Sequence, residues 1–324
     1  MYDIISVGDA TLDVFLGISE ASVMCQLQVE QCQLCLNYAD KIPVDTIAKV
    51  PGAGNASNNA VGSSLLGMRA AISSILGDDE VGHIIFEQWK KKKVDTKHVV
   101  FDKKRGTNYS TVLNFKGERT ILVFHEKRDY VFPKTLDGAK WIYYTSIGKG
   151  SENLHAPLLA YVKKSKAKMV FNPGTFQLKL GTENLQKIIA ATELTIVNKQ
   201  EAERVCGNEN PTIKVLLMRL KKMGAGLAVI TDGPNGSYAY DGRKFFQLGI
   251  FDVPVVERTG CGDAYATALV AALHFGHSLP EAMRWGTANA ASVLGEVGPQ
   301  AGLLKTSEMK KMLKRFGKIQ AKEI

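Results

Sequence analysis

No stretch of this chain approaches the ~20 consecutive apolar residues that a membrane helix needs. No basic segment or signal-peptide core follows its opening Met-Tyr-Asp. Neither a membrane partner nor secretion is expected, and the protein is read as cytoplasmic. Cysteine is scarce: five residues, at 25, 32, 35, 206 and 261. An odd count in a chain this long argues against a disulfide framework. Cys32 and Cys35 are spaced C-x-x-C but have neither a second pair nor a nearby His to complete a zinc site, so free thiols are expected. Two phosphate-binding patterns are also missing. There is no G-x-x-x-x-G-K-[ST], which excludes a P-loop NTPase. Gly52-Ala-Gly54 and Gly260-Cys-Gly262 each lack the third glycine of the dinucleotide fingerprint, which disfavours an NAD-dependent oxidoreductase.

What is present points to a large globular α/β chain. The 324 residues are 45% hydrophobic and 23% charged, enough apolar material for one sizeable core and too much for disorder. Lys and Arg total 41 against 32 Asp and Glu, a net charge of +9. That charge is scattered. Its one tight run, Lys90 to Lys93, continues the amphipathic pattern Ile84-Ile85-Phe86-Glu87-Gln88-Trp89, where lysines suit the negative end of a helix. No nucleic-acid partner is expected.

Ile4 to Gly8 reads as a buried strand, Gly54 to Gly67 as a helix and Ala70 to Leu76 as a strand. The segment from Ile18 to Val50 is ambiguous, with some strand character. Thr111–Phe115 and Glu118–Phe124 are β-rich and joined by Lys116-Gly117, a two-residue hairpin signal. From Trp141 onward strands and helices alternate: strands at 141–145, 169–172, 195–198 and 227–231, and helices at 153–164, 183–191, 199–206 and 213–222. Such alternation predicts βαβ units and a mostly parallel sheet. Ligands of such sheets bind beyond the carboxyl ends of the strands.

The sharpest local pattern is Thr259-Gly260-Cys261-Gly262-Asp263 leading into the small-residue helix Ala264–Leu273. Glycines at a helix N-terminus leave backbone N–H groups free to meet an anion and let it approach closely. An Asp beside them can take the proton of an attacking hydroxyl. The same residues also read as an ordinary turn with Asp263 in a capping role.

This segment resembles the C-terminal signature of the ribokinase-like PfkB family of carbohydrate kinases, D-T-x-G-A-G-D. Four further matches follow in order. Pro51-Gly-Ala-Gly-Asn-Ala-Ser-Asn-Asn-Ala60 is similar to the N-terminal signature, and Gly8-Asp-Ala-Thr-Leu-Asp13 to the opening sugar-binding loop. Asn198-Lys-Gln-Glu201 matches N-x-x-E, and Thr231-Asp-Gly233-Pro-Asn-Gly236 resembles the nucleotide-binding T-x-G-x-x-G. The resemblance runs from residue 4 to about 305. It implies a three-layer α/β/α sandwich over residues 1–324, a mostly parallel central sheet, and a small β lid built from segments near 14–18, 41–50 and 107–125. It further implies transfer of the γ-phosphate of ATP, with Mg²⁺, to a hydroxyl of a small sugar. By the resemblance Asp263 is the base, and Gly260 and Gly262 form the anion hole. Thr11, Asp13, Gly54, Asn55 and Asn58 hold the sugar. Asn198, Thr231, Gly233, Gly236 and Asn289 line the nucleotide, and Glu201 orders Mg²⁺ through water. From the residues alone, Asn58 also reads as a helix-surface amide. Asn198 with Glu201 reads as a capping box, Thr231 to Gly236 as a strand and turn, and Asn289 as a packing residue.

The chain departs from the pattern in places. Ala53 replaces the first signature's usual Gly, and Glu257-Arg258 replaces Asp-Thr, where the acidic position helps hold a monovalent cation in many members. Glu257 therefore marks a K⁺ site that its extra methylene puts in question. Asn55 stands where members acting on phosphorylated sugars often carry Lys, which favours an unphosphorylated, fructose- or ribose-like substrate. Lys103, Lys104 and Arg105 lie near the lid and leave a phosphate open. A nucleoside kinase and a non-catalytic sugar-binding regulator remain as alternatives, and a lid-mediated homodimer is expected.

Overall fold

Each central strand carries apolar residues on both faces, so the sheet must be covered on both sides. The computed structural model describes residues 1–26, 31–133, 136–207 and 211–324. β1 (Tyr2–Val7) leads to β2 (Thr11–Gly17), a short hairpin of β3 (Ser22–Gln26) and β4 (Gln31–Cys35), then β5 (Thr46–Ala53) and α1 (Asn55–Leu65). β6 (Ala70–Gly77), α2 (Glu80–Lys91), β7 (Asp95–Asp102), β8 (Asn108–Phe115) and β9 (Glu118–Phe124) follow. The alternating stretch is β10 (Ala139–Thr145), α3 (His155–Ser165), β11 (Lys168–Asn172), α4 (Thr175–Leu178), α5 (Thr182–Ile189), β12 (Leu194–Asn198), α6 (Lys199–Cys206), α7 (Ile213–Lys222) and β13 (Leu227–Thr231). β14 (Ser237–Tyr240) and β15 (Phe245–Leu248) precede α8 (Cys261–His274), α9 (Leu279–Leu294), α10 (Thr306–Arg315) and β16 (Lys322–Glu323).

The main sheet runs β16-β15-β14-β13-β12-β11-β10-β1-β6-β7. It is parallel from β7 to β13 and antiparallel beyond, at β14, β15 and β16. Successive residues of each strand serve opposite cores. Ile5, Ile142, Met169, Val197 and Ile230 pack with α3, α5, α6 and α7. Ile4, Tyr143, Val170, Ile196 and Val229 pack with α8, α9 and α10. The result is the expected α/β/α sandwich.

A second, smaller sheet runs β5-β2-β8-β9 and contains the segments expected to build the lid. The expected lid segments shift to 11–17, 46–53 and 108–124 because β2 sets the register, pairing Thr11 with Ala53 on one side and with Asn108 on the other. The β8–β9 hairpin turns at Lys116 and Gly117, both with positive φ (51° and 82°), the geometry that matches strand twist in two-residue loops. β9 is the outer edge and is exposed along its whole length.

The expectation of free thiols is corrected at one pair. Cys25 and Cys32 face each other across the β3–β4 ladder, their Cα atoms 4.0 Å apart, and are joined by a disulfide. Hairpin register, which spacing alone does not reveal, opposes these two residues. Cys35, three residues from Cys32 along an extended strand, points to the other face and stays free, as do Cys206 and Cys261. Residues 27–30 of the ambiguous early segment lie outside the described residues.

One contact positions the site. α1 and α8 pack through small side chains: a Cβ on Gly62 would sit 2.9 Å from Thr267 Cγ2. Asn59 Nδ2 donates to Thr267 Oγ1 at 3.0 Å, and Ser6 Oγ donates to Asn59 Oδ1 at 2.7 Å. Gly62→Val is expected to destabilise the protein by about 1–3 kcal/mol through overpacking, seen as a lower urea midpoint. An unchanged midpoint would mean that α1 and α8 are not tightly apposed.

Candidate functional site

The N-termini of α1, α6 and α8 come together with β2 of the smaller sheet around Asp263. α8 begins at Gly260, whose φ of 80° lies in the left-handed region and whose Cβ would fall 2.4 Å from Pro299 Cβ. Only glycine fits there. No side chain caps α8, and its first turn holds Gly262, exposed, and Asp263. In the first turn the Cys261 amide donates to Arg258 O at 3.4 Å, while the amides of Gly262 and Asp263 have no preceding helical carbonyl to bond. The sequence thus places free N–H donors and a carboxylate side by side.

Asp263 meets α1 directly: Asn58 Nδ2 donates to Asp263 Oδ2 at 2.8 Å. Burial pushes the Asp263 carboxyl up to about 6; the Asn58 hydrogen bond opposes the rise and the charge of Asp13 adds to it. Gly54, the residue before α1, has φ 97°, and a Cβ there would meet the Asp9 carbonyl at 3.0 Å and Ala10 Cα at 3.3 Å. That close approach draws the 8–13 loop and α1 together. Asn55 opens α1, partly exposed.

Asp13 lies on β2 and is buried, with Oδ1 lacking any hydrogen-bond partner. Burial raises its carboxyl to about 6, eased by Ser110, Thr11 and His125 and worsened by Glu257. Thr11 is buried beside it, its hydroxyl 3.4 Å from that of Ser110. Glu257 is buried as well: Oε1 accepts from the Thr259 amide at 2.8 Å and the Thr259 hydroxyl at 2.5 Å, while Oε2 has no partner. A buried carboxylate oxygen without a donor fits a cation.

Asn198 and Glu201 form the capping box, each side chain bonded to the other's backbone N–H at 2.8 Å. Burial raises Glu201 to about 7, and the charge of Asp263 adds to the rise. Thr231 lies beside Asn198 in register, and a 3₁₀ turn at Gly233–Asn235 leads to Gly236. Asn198 and Thr231 thus end neighbouring strands, and Gly233 and Gly236 follow directly, on the β12–β13 side of the site. Asn289 does not face it: its Nδ2 donates to Ala264 O at 2.8 Å and its Oδ1 accepts from the Leu304 amide at 2.9 Å, so its amide ties α8 to the segment before α10.

Sequence reasoning missed Asp9, Tyr130, His125 and Gln300. Asp9 is buried; its Oδ2 accepts from Tyr130 Oη at 2.6 Å and Gly148 N at 2.8 Å, with His125 Nδ1 3.4 Å away. Gln300 reaches Asn58 from the loop after α9. Asp9 stood in the opening loop, where a second acidic residue was the available signal. The other three lie in no motif.

Both raised carboxyls bind a proton more tightly in the folded protein, so the stability they contribute is fully present at low pH and is lost as pH rises through about 6. Asp13→Asn is therefore expected to melt higher than wild type at pH 7.5, with the gap closing towards pH 5. A gap that is absent at pH 7.5 or independent of pH would contradict the burial of an ionised Asp13.

Comparison with known proteins follows this geometry. A family model described as pfkB family carbohydrate kinase matches residues 16–306. A 5-dehydro-2-deoxygluconokinase of Shouchella clausii is 27% identical over 80% of this chain and 85% of its own. An ATP-dependent 6-phosphofructokinase of Thermoanaerobacterium thermosaccharolyticum is 24% identical over 96% and 94%. In fold, the chain is similar to the Methanocaldococcus jannaschii nucleoside kinase of the ribokinase family, with a TM-score of 0.79, 20% identity and coverage of 97% and 99%. It is likewise similar to Arabidopsis thaliana ribokinase complexed with ribose and ATP, with a TM-score of 0.76, 18% identity and the same coverage.

Proposed function

The chain belongs to the pfkB family of carbohydrate kinases, and on that premise we propose that it transfers the γ-phosphate of ATP to a hydroxyl of a small sugar with Asp263 as general base. The observation that carries this reading is the pairing of a carboxylate with the open N-terminus of α8. Asp263, raised to about 6, is ionised at neutral pH yet basic enough to take a hydroxyl proton. The amides beside Gly260 and Gly262 meet the charge that develops on the phosphoryl group. The intact base also disfavours a binding-only regulator.

The whole chain, 1–324, acts as one kinase unit under its lid. Asp13, with its free Oδ1, Thr11, Gly54, Asn55 and Asn58 hold the sugar, a role that suits acceptors and amides facing several hydroxyls. Asn198, Thr231, Gly233 and Gly236 border the nucleotide. Among the described residues no group of three or more His, Cys, Asp or Glu side chains is arranged to hold a metal. Mg²⁺ would be held chiefly by the phosphates of ATP, with Glu201 ordering it through water. When bound, it neutralises charge on the transferring group. The partnerless Oε2 of Glu257 suits K⁺.

The substrate is an unphosphorylated, fructose- or ribose-like sugar, supported by Asn55 at the signature position and by the free oxygens of Asp9 and Asp13, which repel an anion. The similarity to 5-dehydro-2-deoxygluconokinases makes a sugar acid the competing substrate class. The exposed apolar residues of the lid, Leu122 and Phe124 among them, support a homodimer through that sheet. A kinase using ATP suits the cytoplasm, where the exposed Cys25–Cys32 bridge would be subject to reduction.

Asp263→Asn is expected to lower kcat by ~10²–10⁴ with sugar KM nearly unchanged, the weight of a positioned general base. In the wild type, kcat/KM should fall as pH drops below about 6. Coupled ADP release measures both, and equal turnover by the variant would remove Asp263 from the chemistry.

A further inference from the structure

Three separate motifs meet at the loop that follows α9. Pro299 packs against Gly260, as the forbidden Cβ position shows, and Gly298 lies within 3.2 Å of Val50 on the lid strand β5 by the same measure. The next residue, Gln300, turns inward. Its Nε2 lies 2.7 Å from Gly52 O, 3.0 Å from Asn58 Oδ1 and 3.4 Å from Ser57 Oγ.

These partners set a direction. Gly52 O is a backbone carbonyl and only accepts, so Gln300 must turn its NH₂ towards it. The second hydrogen of that NH₂ then faces Asn58, which answers with Oδ1. This leaves Nδ2 of Asn58 for Asp263, 2.8 Å away. The opposite amide orientation would set Asn58 Oδ1 against a carboxylate oxygen and Nδ2 against the NH₂ of Gln300, two repulsive contacts. Ser57 reinforces the order: Trp89 Nε1 donates to its hydroxyl at 2.7 Å, and that hydroxyl donates to Gly52 O.

We propose that Gln300 is a positioning residue that locks the Asn58 amide so that it presents an N–H, and not a carbonyl oxygen, to the Asp263 carboxylate. The groups that face Asp263 make this orientation matter. They are Asp13 of β2, Glu201 of α6, Tyr143 of β10 and Cys261 of its own helix, and no cation is among them. The Asn58 N–H is the hydrogen bond that favours the ionised base. Gln300 touches neither the base nor the bound sugar in this account; it acts through Asn58.

The activity readout rests on the kinase reading, so the test pairs it with one that does not. Gln300→Leu removes the donors. Gln300→Glu is nearly isosteric, guards against a folding failure, and puts an acceptor where Asn58 needs a donor. Each is expected to lower kcat about 10–100-fold, the weight of a hydrogen bond to a charged group, to move the acid limb of the kcat profile to higher pH, and to leave the KM for ATP unchanged. In an Asn58→Ala background Gln300→Leu should cause no further loss, because the residue it positions is gone. The Asp263 carboxyl pKa, followed by ¹³C NMR without substrate, should rise in both single variants. The proposal is overturned if the variants keep the wild-type acid limb and carboxyl pKa, or if the losses multiply in the double variant. A further rise of the Asp263 pKa in the variants, in a protein whose wild type phosphorylates nothing, would sustain the role of Gln300 and sink the kinase reading instead.

Discussion

Everything at the site depends on one hydrogen bond between residues 205 positions apart, from Asn58 on α1 to Asp263 on α8. It exists because two helices that start at glycines are allowed to touch. Gly62, one turn beyond Asn58, leaves room for Thr267, one turn beyond Asp263, and Asn59 bonds that same Thr267. Helix pairs with ordinary side chains keep their axes 8–10 Å apart; small residues here bring the two first turns into register. The segment opening α1 and the segment opening α8 are thereby joined, and Asp13 of β2 lies close enough for its charge to act on Asp263.

The arrangement is costly to the folded state. Asp9 and Asp13 are buried carboxylates with an oxygen left without a partner, and Glu257 carries another. Such groups lower stability unless a ligand satisfies them. They are grouped on the substrate side of the cleft and at the anion loop, not scattered through the core. On the proposed kinase reading, a hydroxylated substrate would supply the missing donors at Asp9 and Asp13, and a cation would answer Glu257. The site is in this sense built for its ligands and strained without them, a common relation between stability and function.

Much of this was legible in the sequence, for physical reasons. Strand–helix alternation predicts the parallel sheet, and Lys116-Gly117 predicts the hairpin of the smaller sheet, because both rest on local backbone preferences. The glycines at 54 and 260 were legible because close approach permits no other residue. Asn198 and Glu201 show the limit of motif reading: the capping box is present, so geometry alone does not separate the capping role from a Mg²⁺ role. Asn289 sat in the right helix, yet its amide is engaged in the core. The Cys25–Cys32 bridge and the Gln300 contact arise from tertiary register, which spacing along the chain does not encode.

We propose that this site moves a phosphoryl group from ATP to a sugar hydroxyl. ³¹P NMR of the protein with ATP, Mg²⁺ and K⁺ against single neutral sugars, sugar acids, sugar phosphates and nucleosides follows that group itself. Loss of the γ-phosphate resonance is expected, matched by an equal gain of a sugar phosphate monoester and of ADP, with a neutral sugar ahead of its acid. ATP left intact across the panel, or converted to ADP and free phosphate with no monoester, would contradict it.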